Sequence, residues 1–120
     1  MLLDSVILID HLNGIAAATA YLAKNNAVGV ISPITRAEVL TGVTEESEVA
    51  VKKLLDAFGV FDIDRETADL AAKLRREHKW KLPDAFQAAL ALQHGLKLVT
   101  RNSRDFSPKQ HAFVVIPYVI

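Results

Sequence analysis

The sequence predicts a single α/β domain, residues 1–120, with a mainly parallel sheet and helices on both of its faces. Three observations predict it. Short aliphatic runs alternate along the chain with longer helical segments. Prolines mark two helix starts, at Ser32-Pro33 and Pro83-Asp84. The first aliphatic run, Leu2-Leu3, is cut at once by Asp4 and Ser5. A charge inside a buried strand is costly. The economical reading is therefore a very short central strand with Asp4 at its carboxyl end. Open parallel sheets bind ligands just outside those ends.

The elements follow in order. Asp10-His11-Leu12-Asn13-Gly14 leads to an alanine-rich helix from Ile15, stopped at Asn25-Asn26. Val28 to Ile31 is a short β-branched run, expected as a buried strand. Ser32 caps the next helix and Pro33 sits in its first turn; this helix stops near Gly42. Thr44-Glu45-Glu46 opens another, with Val49, Leu54 and Leu55 on its apolar side. Val60-Phe61 is the third strand. Asp64 caps a helix from Arg65 to His78, where Ala68, Ala71, Ala72 and Leu74 give the helical period. The segment 79–82 leads to a helix carrying Phe86, Ala89, Leu90 and Leu92, ended by Gly95. Leu96 to Thr100 is the fourth strand, Arg101 to Pro108 a polar loop, and Phe113 to Ile116 the fifth strand.

Composition narrows the function. The chain has 120 residues, 51% of them hydrophobic, enough for one well-filled core. No apolar run reaches membrane-spanning length. The first residues carry no basic flank and are broken by Asp4 and Asp10, so no signal peptide and a cytoplasmic location are expected. The absence of cysteine excludes disulfides and thiolate metal sites. The formal net charge is zero. A protein that held nucleic acid by bulk charge would be basic. Any nucleic-acid contact must use a local basic patch, metal ions or a partner.

Four acids share one context. Asp4 ends the first strand, Glu38 lies in the helix after the second, Asp84 starts the helix before the fourth, and Asp105 lies in the loop after it. Carboxylates gathered at one point repel one another unless they share a cation. Their oxygens favour Mg²⁺ or Mn²⁺. Such a site suits phosphodiester hydrolysis. By spacing alone the alternatives stay open: Asp84 as an acid favoured by the helix dipole, Glu38 as a solvated residue, Asp105 as a turn residue. For Asp4, inside an apolar run, a purely structural role is harder to sustain.

Four segments occur together and in order: 2–10 (LLDSVILID), 32–42 (SPITRAEVLTG), 82–85 (LPDA) and 99–106 (VTRNSRDF). Jointly they resemble the PIN domain of VapC-type toxin ribonucleases. The resemblance covers the chain from end to end. It implies a three-layer α/β/α sandwich with a five-stranded sheet and the first strand central. It implies Mg²⁺ or Mn²⁺ in an acidic pocket and endonucleolytic RNA cleavage leaving 5′-phosphate and 3′-hydroxyl ends. It also implies a homodimer and inhibition by a cognate VapB-type antitoxin. Asp4, Glu38 and Asp84 match three metal-site acids. Asp105 matches the fourth, ahead of Asn102 in the same loop, because a carboxylate binds Mg²⁺ better than an amide. Ser5 stands where the family more often has threonine, with a hydroxyl for a water or an acid.

Other residues carry two readings each. Thr100 supports the site or is an ordinary strand residue. Arg101 and Arg104 hold RNA phosphates, with pairing to the acids as the alternative; Arg36 has the same two readings. Asp10 reads as a helix cap or solvated acid, with support of the site acids from behind as the lesser alternative. Lys73, Arg75, Arg76, Lys79 and Lys81 flank Trp80, either as an RNA-binding rim with a stacking aromatic or as a solvated helix end. His11, His78, His94 and His111 share no ligand spacing and read as surface or helix-end residues. The helices Ile34 to Gly42 and Arg65 to His78 have small aliphatic faces suited to a two-fold interface. The rival functions are a PIN-like RNA- or protein-binding module without catalysis, and a metal-dependent DNA nuclease or phosphatase.

Overall fold

The computed structural model describes residues 1–25 and 28–120. The strands are β1 (Leu2–Leu3), β2 (Val30–Ile31), β3 (Gly59–Val60), β4 (Leu98–Val99) and β5 (Val114–Val115). They form one sheet in the order β3-β2-β1-β4-β5, with every neighbouring pair parallel. β1 is central, as expected. The helices are α1 (Ser5–Leu12), α2 (Ala16–Asn25), α3 (Pro33–Thr41), α4 (Glu45–Asp56), α5 (Arg65–His78) and α6 (Leu82–Gln93). None of the described helices is long and apolar enough to cross a membrane.

Each strand is only two residues long, shorter than the aliphatic runs suggested. The ladder nevertheless reaches one residue further. Asp4 N–H donates to the Val99 carbonyl at 2.9 Å and Thr100 N–H to the Val115 carbonyl at 3.1 Å. The backbones of Asp4 and Thr100 are thus pinned by the sheet although their side chains leave it. Alternation along the strands splits the core in two. Leu2, Leu98 and Val114 pack with α5, α6, Trp80 and Phe106 on one face. Leu3, Ile31 and Val99 pack with Ile7, Leu8, Leu22, Val39, Val51, Leu55 and Phe58, from α1 to α4 and the turn that follows, on the other. This is the three-layer sandwich. Gly29 lets the layers close: a Cβ there would stand 3.0 Å from Leu3 Cδ1 and 3.2 Å from the Phe58 ring.

The structure adds and corrects elements. α1 is an addition, because three of the four residues in the run Val6-Ile7-Leu8-Ile9 are β-branched and the run gives no helical signal of its own. Asp4 supplies the start by capping the helix, its carboxylate accepting from Ser5 N–H. Burial of Ile7 and Leu8 against the sheet supplies the rest. In α4 the buried side is Val51 and Leu55, and Val49 is 66% exposed. Val49 stands two residues before Val51, so it points away from the face that Val51 and Leu55 share. Thr44 and Ser47 form a reciprocal capping box at its start. α2 runs to Asn25; the stop expected at Asn26 lies outside the described residues.

Candidate active site

In the strand order 3-2-1-4-5 the chain reverses direction of winding between β1 and β4, where open sheets form their crevice. Asp4 and Thr100 stand at the carboxyl ends of these two strands. Asp4 is 7% exposed. Its Oδ1 accepts from Ser5 N–H at 2.8 Å and from Gln87 Nε2 at 3.4 Å, and its Oδ2 accepts from the Thr100 hydroxyl at 2.7 Å. A buried carboxylate with several donors is held in one orientation.

Gln87 belongs to this arrangement and carried no signal that singled it out. It is fully buried in α6. Its Nε2 donates to Thr35 Oγ1 at 2.7 Å, and its Oε1 accepts from the Ser32 hydroxyl at 2.7 Å. Thr35 in turn donates to the Leu3 carbonyl at 3.1 Å, while Ser32 caps α3. One amide therefore ties α6 to α3 and to the end of β1. The available clue was position: Gln87 follows Asp84 by three residues, on the same helical face, in a stretch otherwise of alanine, leucine and phenylalanine.

The other acids converge on Asp4 from three segments. Glu38 lies on the exposed side of α3, where its Oε1 accepts from the Ser5 hydroxyl at 3.1 Å. Partial burial raises its pKa; the Ser5 bond lowers it and the Asp4 charge raises it again. Asp84 is half-buried in the first turn of α6. Burial pushes its carboxyl up to about 6, helped by the charges of Asp4, Asp105 and Glu38; Lys81 opposes them. Asp105 is exposed, its Oδ2 accepting from Asn102 Nδ2 at 3.0 Å. The two candidates for the fourth site residue, Asn102 and Asp105, are thus hydrogen-bonded to each other. Trp80 Nε1–H fixes the Asp105 carbonyl at 3.0 Å.

The donor set fits a hard cation: carboxylate oxygens are in excess, and among the described residues Lys81 is the cation that opposes them at Asp84. No group of three His, Asp or Glu side chains among the described residues is already drawn together as a ligand set. Asp4, Glu38 and Asp105 instead accept hydrogen bonds from the Thr100 hydroxyl, the Ser5 hydroxyl and the Asn102 amide.

The remaining candidates are placed differently from one another. Thr100 is engaged with Asp4, and its Oγ1 also accepts from Asn102 N–H at 3.1 Å. Arg101 pairs with Asp10, so here the ion-pair reading describes the structure, although the acid is not one of the four. Asp10 is neither a cap nor solvated: it is 5% exposed inside α1. A buried carboxylate needs a partner, and this one lies 91 residues away. Arg36 pairs with Asp56 on the surface. Arg104 is exposed in the loop. Trp80 is 5% exposed and stacked on His78, so it is a core residue and not a stacking platform for a base. Around it Lys73, Arg75, Arg76, Lys79 and Lys81 remain exposed. The histidines gather no ligand set: His94 stacks on Phe61, and His111 packs edge-on against Trp80 and His78.

Comparison with known proteins bears on the family and the fold. The PIN domain profile matches residues 1–110. The chain is 34% identical over 113 residues to Ribonuclease VapC10 of Mycobacterium tuberculosis, covering 88% of this chain and 85% of that protein. Its fold is similar to a chain of a toxin–antitoxin complex from Klebsiella pneumoniae, with a TM-score of 0.89, 37% identity and coverage of 99% and 98% of the two chains. A chain of DNA-bound VapBC from Salmonella typhimurium is similar with a TM-score of 0.74 and 25% identity over 88% of each chain.

Proposed function

Because the chain belongs to the PIN-domain family and its VapC-type ribonucleases, we propose that it is a toxin that hydrolyses RNA at the four-acid pocket with Mg²⁺ or Mn²⁺. The observation that carries the reading is the gathering of acids at the carboxyl end of β1, where Ser5 bonds both Asp4 and Glu38 and where burial and the charges of Asp4, Asp105 and Glu38 push the Asp84 carboxyl up to about 6. So much uncompensated negative charge at a strand-end crevice calls for a cation.

Asp4, Glu38, Asp84 and Asp105 would hold the metal. When bound, it supplies activation of water and neutralisation of the departing oxygen. The chain's own part is positioning. Thr100, Gln87 and the Ser5 amide keep the Asp4 oxygens directed, and the Ser5 hydroxyl and Asn102 do so for Glu38 and Asp105. One of these carboxylates would accept the proton of the attacking water. The exposed cations of 73–81 lie next in sequence to Asp84 and can hold RNA phosphates on the approach.

The partner is a VapB-type antitoxin, supported by the complexes in which the structural relatives occur. The quaternary state is a homodimer that uses the small aliphatic faces of α3 and α5. Incubating the purified chain with RNA and Mg²⁺ or Mn²⁺ tests the proposal. Carboxylate-dependent cleavage supports it; cleavage of single-stranded DNA or a small phosphate ester instead would redirect it to another metal hydrolase.

A further inference from the structure

Asp10 is a buried carboxylate outside the acid pocket, and three elements meet on it. Arg101, in the loop after β4, donates from Nε to Oδ2 at 2.8 Å and from Nη2 to Oδ1 at 3.0 Å. The hydroxyl of Tyr118, beyond β5, donates to Oδ2 at 2.9 Å. Both carboxylate oxygens are occupied, and the arginine fork is matched in its two-pronged geometry. Asp10 itself belongs to α1, the helix that Asp4 caps.

Arg101 stands between two residues that act on the pocket. Thr100 grips Asp4, and Asn102 grips Asp105 through both atoms of its side-chain amide, Nδ2 donating to the carboxylate and Oδ1 accepting from Asp105 N–H at 3.3 Å. We propose that Asp10, Arg101 and Tyr118 are positioning residues, a clamp that fixes the loop 100–105 against α1 and so sets Asp105 relative to Asp4. Arg101 is thereby committed. Turning it to an RNA phosphate would leave Asp10 buried and unpaired. The clamp also makes the segment after β5 part of the site's support, through one hydroxyl.

The link to catalysis rests on the nuclease reading; the link to loop geometry does not. The test therefore has two arms on the full chain: Asp10→Asn, Arg101→Met, Arg101→Lys, Tyr118→Phe and the Asp10→Asn/Arg101→Met double variant. In metal-free protein, amide hydrogen exchange at Asn102 and Asp105 should rise about tenfold or more in the two single variants that break the pair, and less in Tyr118→Phe, with Leu98 unchanged. In RNA cleavage, Asp10→Asn and Arg101→Met should each lower kcat about 10- to 100-fold with KM little changed. The double variant should be no worse than the worse single one, and Arg101→Lys should recover part of the loss. Unchanged exchange at Asn102 and Asp105 overturns the clamp. So does a raised KM with a flattened salt dependence in Arg101→Met alone, which would make Arg101 a phosphate ligand. If Arg101→Met does not fold, Tyr118→Phe, which keeps the ion pair, decides on the exchange arm. If the wild-type chain cleaves no RNA, the nuclease reading fails while exchange still judges the clamp.

Discussion

Replacing Asp84 by asparagine should stabilise the metal-free protein at neutral pH. The folded chain pushes this carboxyl from 3.8 to about 6. At about 1.4 kcal/mol per pKa unit, ionising Asp84 in the fold costs at most about 3 kcal/mol. The group is only half-buried, so solvent screening reduces this to about 1–2 kcal/mol. Asparagine removes that penalty but also gives up the acid's favourable place in the first turn of α6, about 0.3–1 kcal/mol. The net expectation is about 1 kcal/mol of added stability at pH 8, roughly 3–5 °C in Tm. The sign with pH follows from linkage. Between about pH 4 and 6 the folded state binds a proton that the unfolded chain has already released. Stability of the wild type therefore falls as pH rises through this window, and the advantage of Asp84→Asn fades below it. Denaturant unfolding in EDTA at pH 5 and pH 8 measures both. Adding Mg²⁺ or Mn²⁺ should raise the wild type selectively, because only it keeps the full ligand set. An asparagine variant less stable than wild type at pH 8 without metal would refute the electrostatic reasoning.

Three further outcomes are expected. Gln87→Leu leaves the buried Ser32 hydroxyl without its acceptor and releases Asp4; it should cost about 1–3 kcal/mol in urea unfolding and reduce cleavage, whereas an unchanged midpoint would deny the amide its structural role. The cognate antitoxin should dock an apolar segment on exposed helices and place an Arg or Lys against the four acids. Its alanine variant should still bind yet fail to inhibit, and excess Mn²⁺ should weaken the wild-type complex; unchanged inhibition would mean another route. Sedimentation at micromolar concentration should give a homodimer, and a monomer there would remove the two-fold interface assigned to α3 and α5.

The architecture was legible where a local rule decided it. The caps at Ser32, Thr44 and Asp64 and the proline at position 83 marked four helices correctly, and the charge in an apolar run put Asp4 at a strand end. α1 was hidden, since its mostly β-branched run at 6–9 is made helical by packing on the sheet. Asp10 and Trp80 were misread for one reason: polarity along the chain is a local signal, whereas their burial depends on remote partners, Arg101 for one and Phe106 with the Asp105 carbonyl for the other. Gln87 was missed because an amide within an alanine-rich helix looks like a surface residue until α3 and β1 are placed beside it. The acids were visible singly, but their convergence needed either the family resemblance or the fold.

The central claim is that Asp4 and its neighbouring acids cleave RNA through a divalent cation. Its most direct test is RNA cleavage by wild type and by Asp4→Asn, each with Mg²⁺ or Mn²⁺ and with EDTA, the fold being checked by circular dichroism. The account predicts cleavage by the wild type only when metal is present, and a loss of at least about a hundredfold in a folded Asp4→Asn, since even outer-shell partners of a metal are worth 10- to 100-fold. Cleavage at the wild-type rate by Asp4→Asn, or undiminished cleavage in EDTA, would contradict it.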